Sequence, residues 1–144
     1  MAAVDPYRLL KALEDVSDRH AKTLRAFERT LRRLRKDIGN EELQVLAKTY
    51  LRKLRVLRGR LERELGDEVV LDSVEPEVRD NIATLSEYMI IVGYLYEEEL
   101  LRKARILARR GASLLEEEEP LIEKDLQQLE ELTEKLQRIV DRYY

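Results

Sequence analysis

From Tyr7 to Ile38 the chain carries neither glycine nor proline, and within that stretch His20, Leu24, Phe27, Leu31, Leu34 and Ile38 recur at alternating steps of four and three. That period belongs to a helix and not to a strand. Asp5 followed by Pro6 supplies a start, an N-cap with a first-turn proline, and Gly39-Asn40 supplies a stop. The first helix is therefore predicted over roughly 33 residues, or about 50 Å. Asn40 with Glu41 and Glu42 opens a second amphipathic helix, whose seam is Leu43, Leu46, Tyr50, Leu54, Leu57 and Leu61 and which ends near Gly66. So short a connection permits only an antiparallel hairpin.

Beyond the hairpin, residues 67–75 read as a loop, and Pro76 opens a third helix with Val78, Ile82, Leu85, Met89, Val92 and Tyr96 on one face. Around residues 88–96, YMIIVGYLY, that helix is apolar on nearly every side, which predicts a place at the centre of the fold or of an assembly. Gly111 ends it after a cationic stretch that the helix dipole favours. Ser113 with Glu116 reads as a capping box, and Pro120 as a fresh first-turn residue or a kink. Ile122, Leu126, Leu129, Leu132 or Thr133, Leu136 and Val140 then give about three heptads able to pack as a coiled-coil strand. In 144 residues with 40% charged and 44% apolar side chains, five glycines and three prolines, the expected fold is all-α. It is an elongated antiparallel helical hairpin followed by two further long helices, four-helix-bundle-like. Residues 1–66 form the basic hairpin and residues 67–144 an acidic assembly region, within a single structural unit.

The residue set argues against catalysis. With no cysteine, neither a disulfide nor a thiolate metal site can form. His20 is the only histidine; it lies in the seam of the first helix, as a packed core residue would, and no serine or cysteine nucleophile is placed for it to activate. The glutamate runs at 97–99 and 116–119 lack the Glu-x-x-His pairing of a di-metal carboxylate site; Glu116 to Glu119, being consecutive, point in all directions and read as a solvated helix start. The isolated glycines form no phosphate-binding loop. No catalytic residue, metal, cofactor or small-molecule substrate is therefore expected. The opening MAAVDPYRLLKALEDV lacks the charged start and apolar core of a signal peptide, and the longest apolar run falls well short of the roughly 20 residues that cross a bilayer. An intracellular protein with no membrane-spanning segment is expected. Two asparagines, four glutamines and dense Arg/Glu usage fit a hot environment, where ion-pair networks count for more.

Charge is what the chain concentrates. Residues 29–36 read RTLRRLRK, five cations in eight positions; residues 1–65 hold 17 Lys/Arg against 10 Asp/Glu, net +7, whereas 66–110 hold 6 against 10, net −4, and 111–144 hold 4 against 10, net −6. The formal −3 of the whole chain hides this segregation. On a helical projection of about 100° per residue, Lys22, Arg25, Arg29, Arg32, Arg33 and Lys36 lie back to back with the seam of the first helix. Lys48, Arg52, Arg55 and, at the edge, Arg63 oppose the leucine seam of the second. Such a face can be neutralised by the acidic half of the same or a neighbouring chain. It lacks, however, the four-residue Glu-to-Lys alternation of a self-balanced helix surface, and a polyanion such as duplex DNA supplies what is missing. Arginine and lysine without asparagine or glutamine predict phosphate contact rather than base reading, and Phe27 and Tyr50, placed in the seams, offer no stacking platform for single strands.

This organisation, a long basic helical hairpin from Lys22 to Arg63 ahead of a more acidic helical remainder, resembles the α-helical major capsid proteins (nucleoproteins) of filamentous viruses of archaea. The resemblance implies a helical filament, a virion component in which basic helices of many subunits wrap double-stranded DNA and the other helices build the shell, copies of the chain or of a paralogous subunit being its protein partners. It also looks like the small helical subunit of a CRISPR effector complex. A third reading is a coiled-coil scaffold or adaptor whose basic and acidic halves mate without nucleic acid.

Overall fold

A computed structural model describes residues 4–144; the first three residues, which belong to the segment read above for a signal peptide, lie outside the described residues. The fold is all-α, with no strand among the described residues. Helix α1 spans Pro6–Lys36, α2 Glu41–Glu64, α3 Pro76–Tyr88, α4 Leu95–Arg109, α5 Ser113–Glu116 and α6 Glu119–Tyr143. A π-helical segment, Met89–Tyr94, joins α3 to α4.

The capping residues behave as their chemistry dictates. Asp5 Oδ1 accepts the Tyr7 and Arg8 backbone N–H groups at 3.0 and 3.3 Å, and Asn40 Oδ1 accepts that of Leu43 at 3.1 Å; each satisfies donors that a helix start leaves without partners. Pro76 and Pro120 stand in the first turns of α3 and α6. Gly111, with φ 117°, turns the chain after α4 in a conformation open to glycine and strained for other residues. Ser113 does not cap: it is the first residue of the single turn α5 and makes no side-chain cap bond, so the expected capping box is absent.

Helix α1 packs against α2, α3 and α4, and α6 packs against α2, α3 and α4 in turn. Leu9, Leu13, Leu24, Phe27 and Leu34 of α1 meet Leu51, Leu54 and Leu61 of α2 in one continuous core. Two faces differ from the sequence expectation. On α2 the buried set is Leu43, Gln44, Ala47, Leu51, Leu54, Leu57, Arg58 and Leu61, while Leu46 is exposed and Tyr50 half-buried; the helix is turned toward α6, which covers it on that side. In the third helix a π turn takes in one residue more than an α turn. The buried register therefore advances from Val92 and Tyr96 to Gly93 and Glu97, leaving Val92 46% exposed. In α6, Asp125 and Ile139 occupy the interior where Leu126 and Val140 were expected; these two are half-buried.

Gly93 is needed for this close approach. A Cβ there would stand 3.2 Å from His20 Nδ1 and 3.3 Å from Met89 Cε, whereas one on Gly59 would meet only the Arg63 guanidinium, at 3.8 Å. Gly93→Ala is thus expected to cost about 1–3 kcal/mol and Gly59→Ala to stabilise by about 0.5–1 kcal/mol in urea unfolding. Equal effects at the two sites would refute the close-packing account.

Candidate nucleic-acid interface

The cations of α1 form a crest. Lys22, Arg25, Arg29, Arg32, Arg33 and Lys36 are all exposed, because the buried stripe from His20 to Leu34 occupies the opposite side of a straight helix. Two ion pairs interrupt the crest, Lys22 with Asp18 at 3.3 Å and Arg32 with Glu28 at 2.6 Å, both spaced four residues apart on α1. Arg25, Arg29, Arg33 and Lys36 make no ion pair among the described residues.

Grooves flank the crest on both sides. Between α1 and α2 lies one of about 570 Å³, lined by Arg19, Lys22, Arg52 and Lys53 with threonine, valine and leucine, and by no carboxylate. Lys53 rests its ammonium over the Tyr50 ring, 5.5 Å from the centroid. Between α1 and α4 lies a smaller one of about 290 Å³ whose cations are Arg32, Arg35, Lys103 and Arg110 and whose one acid is Glu28. Arg19, Arg35, Lys53, Lys103 and Arg110 thus join the basic surface although they were not among the residues expected to face phosphate. Arg19, Arg35 and Lys53 lie on the margins of the helix faces, and Lys103 and Arg110 come from a segment whose net charge is negative.

On α2 the expected stripe divides. Arg52 and Arg63 are exposed and make no ion pair among the described residues. Lys48 and Arg55 turn the other way: Lys48 Nζ donates to Glu117 at 3.0 Å, and Arg55 donates to both oxygens of Asp125, at 3.0 and 3.1 Å from Nε, and to Glu118 at 3.4 Å. Burial disfavours the charge on Arg55, but the hydrogen bonds and charge of Asp125 and then Glu118 outweigh it and hold its guanidinium above the ordinary arginine pKa. The expectation that Arg55 faces solvent is not met, because the rotation of α2 points it at α6.

Behind the basic surface runs a buried chain of ionic groups. His20 Nε2 donates to Glu97 Oε1 at 2.6 Å. Arg58 donates to the other oxygen of Glu97, to Asp125 and, through Nε at 2.9 Å, to Gln128, and Asp125 passes the chain on to Arg55. Each of His20, Arg58, Glu97, Asp125 and Glu118 is at most 4% exposed. The chain therefore ties α1, α2, α4 and α6 together at mid-height. The run 116–119, expected as a solvated helix start, is partly interior: Glu118, like Glu97, belongs to this chain, and Glu119 pairs with Arg109. A signal for it existed in the sequence, since Arg58 and Asp125 stand three or four residues from Leu54, Leu61, Ile122 and Leu129, in core register. The Tyr94 ring meets His20 edge to face at 5.4 Å. Its buried hydroxyl has no hydrogen-bond partner among the described residues, and burial, with the Glu97 charge adding and Arg58 opposing, pushes its pKa well above that of an ordinary phenol.

Among the described residues no group of His, Asp and Glu is placed to hold a metal ion, and no helix is long and apolar enough to cross a membrane. No protein-family model, curated protein or solved structure matches the chain.

Removing Arg58 leaves buried Glu97 without an arginine and takes from Asp125 one of its two. Arg58→Met is expected to lose about 3–5 kcal/mol of stability. Tyr94→Phe, which removes an unpaired hydroxyl, is expected to shift stability by less than about 1 kcal/mol. Denaturant midpoints of the two variants check both, and a near-neutral Arg58→Met would mean that the chain does not hold the helices together.

Proposed function

We propose that the protein binds nucleic acid through the phosphodiester backbone, without reading base sequence, and that copies lie side by side along double-stranded DNA. The observation that carries this reading is the groove between α1 and α2, whose lining holds Arg19, Lys22, Arg52 and Lys53 and no carboxylate, beside the unpaired crest of Arg25, Arg29, Arg33 and Lys36. Among the described residues Lys22 alone of the four lining cations is ion-paired, at the rim, with Asp18 on the surface of α1. Cations clustered in this way repel one another, and a polyanion relieves the repulsion while releasing its own condensed counter-ions. The 31 residues of α1 make a ridge of about 46 Å, longer than one turn of duplex at roughly 34–36 Å. A duplex is favoured over a single strand because Phe27 is buried and Tyr50 half-buried under Lys53, so no aromatic face is offered for base stacking.

The exposed acids of α6, among them Glu123, Glu130, Glu131 and Glu134, lie on a helix that shares its neighbours with α1 but does not pack on it. A bound duplex along α1 would therefore be kept apart from them. A DNA filament with α1 and α2 inward and α6 outward, the arrangement implied by the capsid resemblance, is the fullest form of this reading.

Binding to random-sequence duplexes of several compositions, followed by fluorescence anisotropy over a salt series, tests it. Affinity is expected to be independent of sequence and to fall with a log–log salt slope of about −0.9 per phosphate engaged. The triple change Arg25→Glu, Arg29→Glu and Arg52→Glu should weaken binding at least a hundredfold and flatten that slope by about 3, with helicity unchanged. Lys124→Glu, on exposed α6, should have little effect. Binding that ignores salt, or that survives the triple reversal, would sink the proposal.

A further inference from the structure

The outer face of the continuous helix formed by α3, the π segment and α4 carries an apolar patch that the nucleic-acid reading does not use; of the charged residues flanking it, only Lys103 and Arg110 also line a basic groove. Its centre is an exposed apolar patch of Tyr88, Ile91, Val92 and Leu95, at 39, 56, 46 and 59% exposure, far more than isolated surface residues require. The exposed residues on the N-terminal side of the patch include Glu77 and Asp80; those on the C-terminal side include Arg102 and Lys103, which pair on the helix surface with Glu98 at 2.8 Å and Glu99 at 3.0 Å, and beyond them Arg109 and Arg110, so that this end is basic in balance. A helix face that is acidic at one end, apolar in the middle and basic at the other is complementary to itself in reverse.

We infer that this face pairs with the same face of a second copy, antiparallel, about a two-fold axis passing between Ile91 and Val92. Turning one helix about that axis sets Ile91 against Val92 and Tyr88 against Leu95. It also sets Thr84 against Glu99 and Asp80 against Lys103, so each exposed residue meets an exposed residue and no like charges meet. A parallel pair would set Asp80 against Asp80 and Lys103 against Lys103, and that repulsion selects against it. The π segment makes the patch possible: it turns Gly93 and Tyr94 inward and leaves Ile91, Val92 and Leu95 outside. Such an interface is isologous and closes at two copies.

The absence of natural cysteines makes the register directly testable in the full chain. Opposed residues of an antiparallel pair are adjacent, whereas Thr84 lies about 22 Å along the axis from its own counterpart. A chain carrying both Thr84→Cys and Glu99→Cys should be joined into covalent dimers by a short bis-maleimide, while either single variant should not. Sedimentation should give twice the 17.1 kDa of the monomer, and Ile91→Glu with Leu95→Glu should return it to monomer with its helical circular dichroism intact. Lys103→Asp should weaken the dimer several-fold, and adding Asp80→Lys should restore it. A wild-type chain that stays monomeric, or single-cysteine variants that cross-link as well as the double one, would overturn the inference. Neither result depends on nucleic acid, so the two proposals fail separately.

Discussion

Four ionic groups and a histidine withdrawn from water set the terms for the rest of this molecule. A buried arginine is tolerated only where carboxylates meet it, and buried carboxylates only where cations do. Arg58 must therefore face Glu97 and Asp125 together, which brings α2, α4 and α6 to one level, and His20 adds α1 through Glu97. Leucines packed on leucines could slide by a turn at modest cost. An Arg58 that slid would lose all three of its partners, Glu97, Asp125 and Gln128.

Two features of the helices, one of orientation and one of helix geometry, accompany this arrangement. Helix α2 is rolled toward α6, so that Arg55 and Arg58 reach Asp125 and Leu46 is left outside. The third helix widens into a π turn just before Glu97, which brings Gly93 against the His20 ring and Glu97 into the core. Both adjustments act on the surface as well. The roll of α2 withdraws Lys48 and Arg55 from the basic face, and the π turn leaves Ile91, Val92 and Leu95 exposed on the opposite side of the same helix.

What remains on the surface is segregated by helix. Helix α1 carries unpaired cations on its crest and cation-lined grooves on both flanks, whereas the free acids of α6 lie on a helix that does not pack on α1. Internal neutralisation does occur, through Lys48, Arg55, Arg105 and Arg109 with acids between Glu117 and Asp125. It balances the inner and lateral cations of α2 and α4 and does not reach the crest, because α1 and α6 are separated by the helices they share.

The sequence by itself determined the helices, their starts and most of their ends, since an N-cap, a first-turn proline or a left-handed glycine acts through neighbours a few residues away. It also determined the crest of α1, because one long regular helix with one buried stripe leaves its opposite side no choice. The tertiary structure alone decided how far α2 is rolled, where the third helix takes in an extra residue, and hence which cations of α2 face solvent and which apolar residues of the third helix do. Those outcomes depend on where a carboxylate some 40 to 70 residues away comes to rest. Local periodicity carries no information about a partner at that distance.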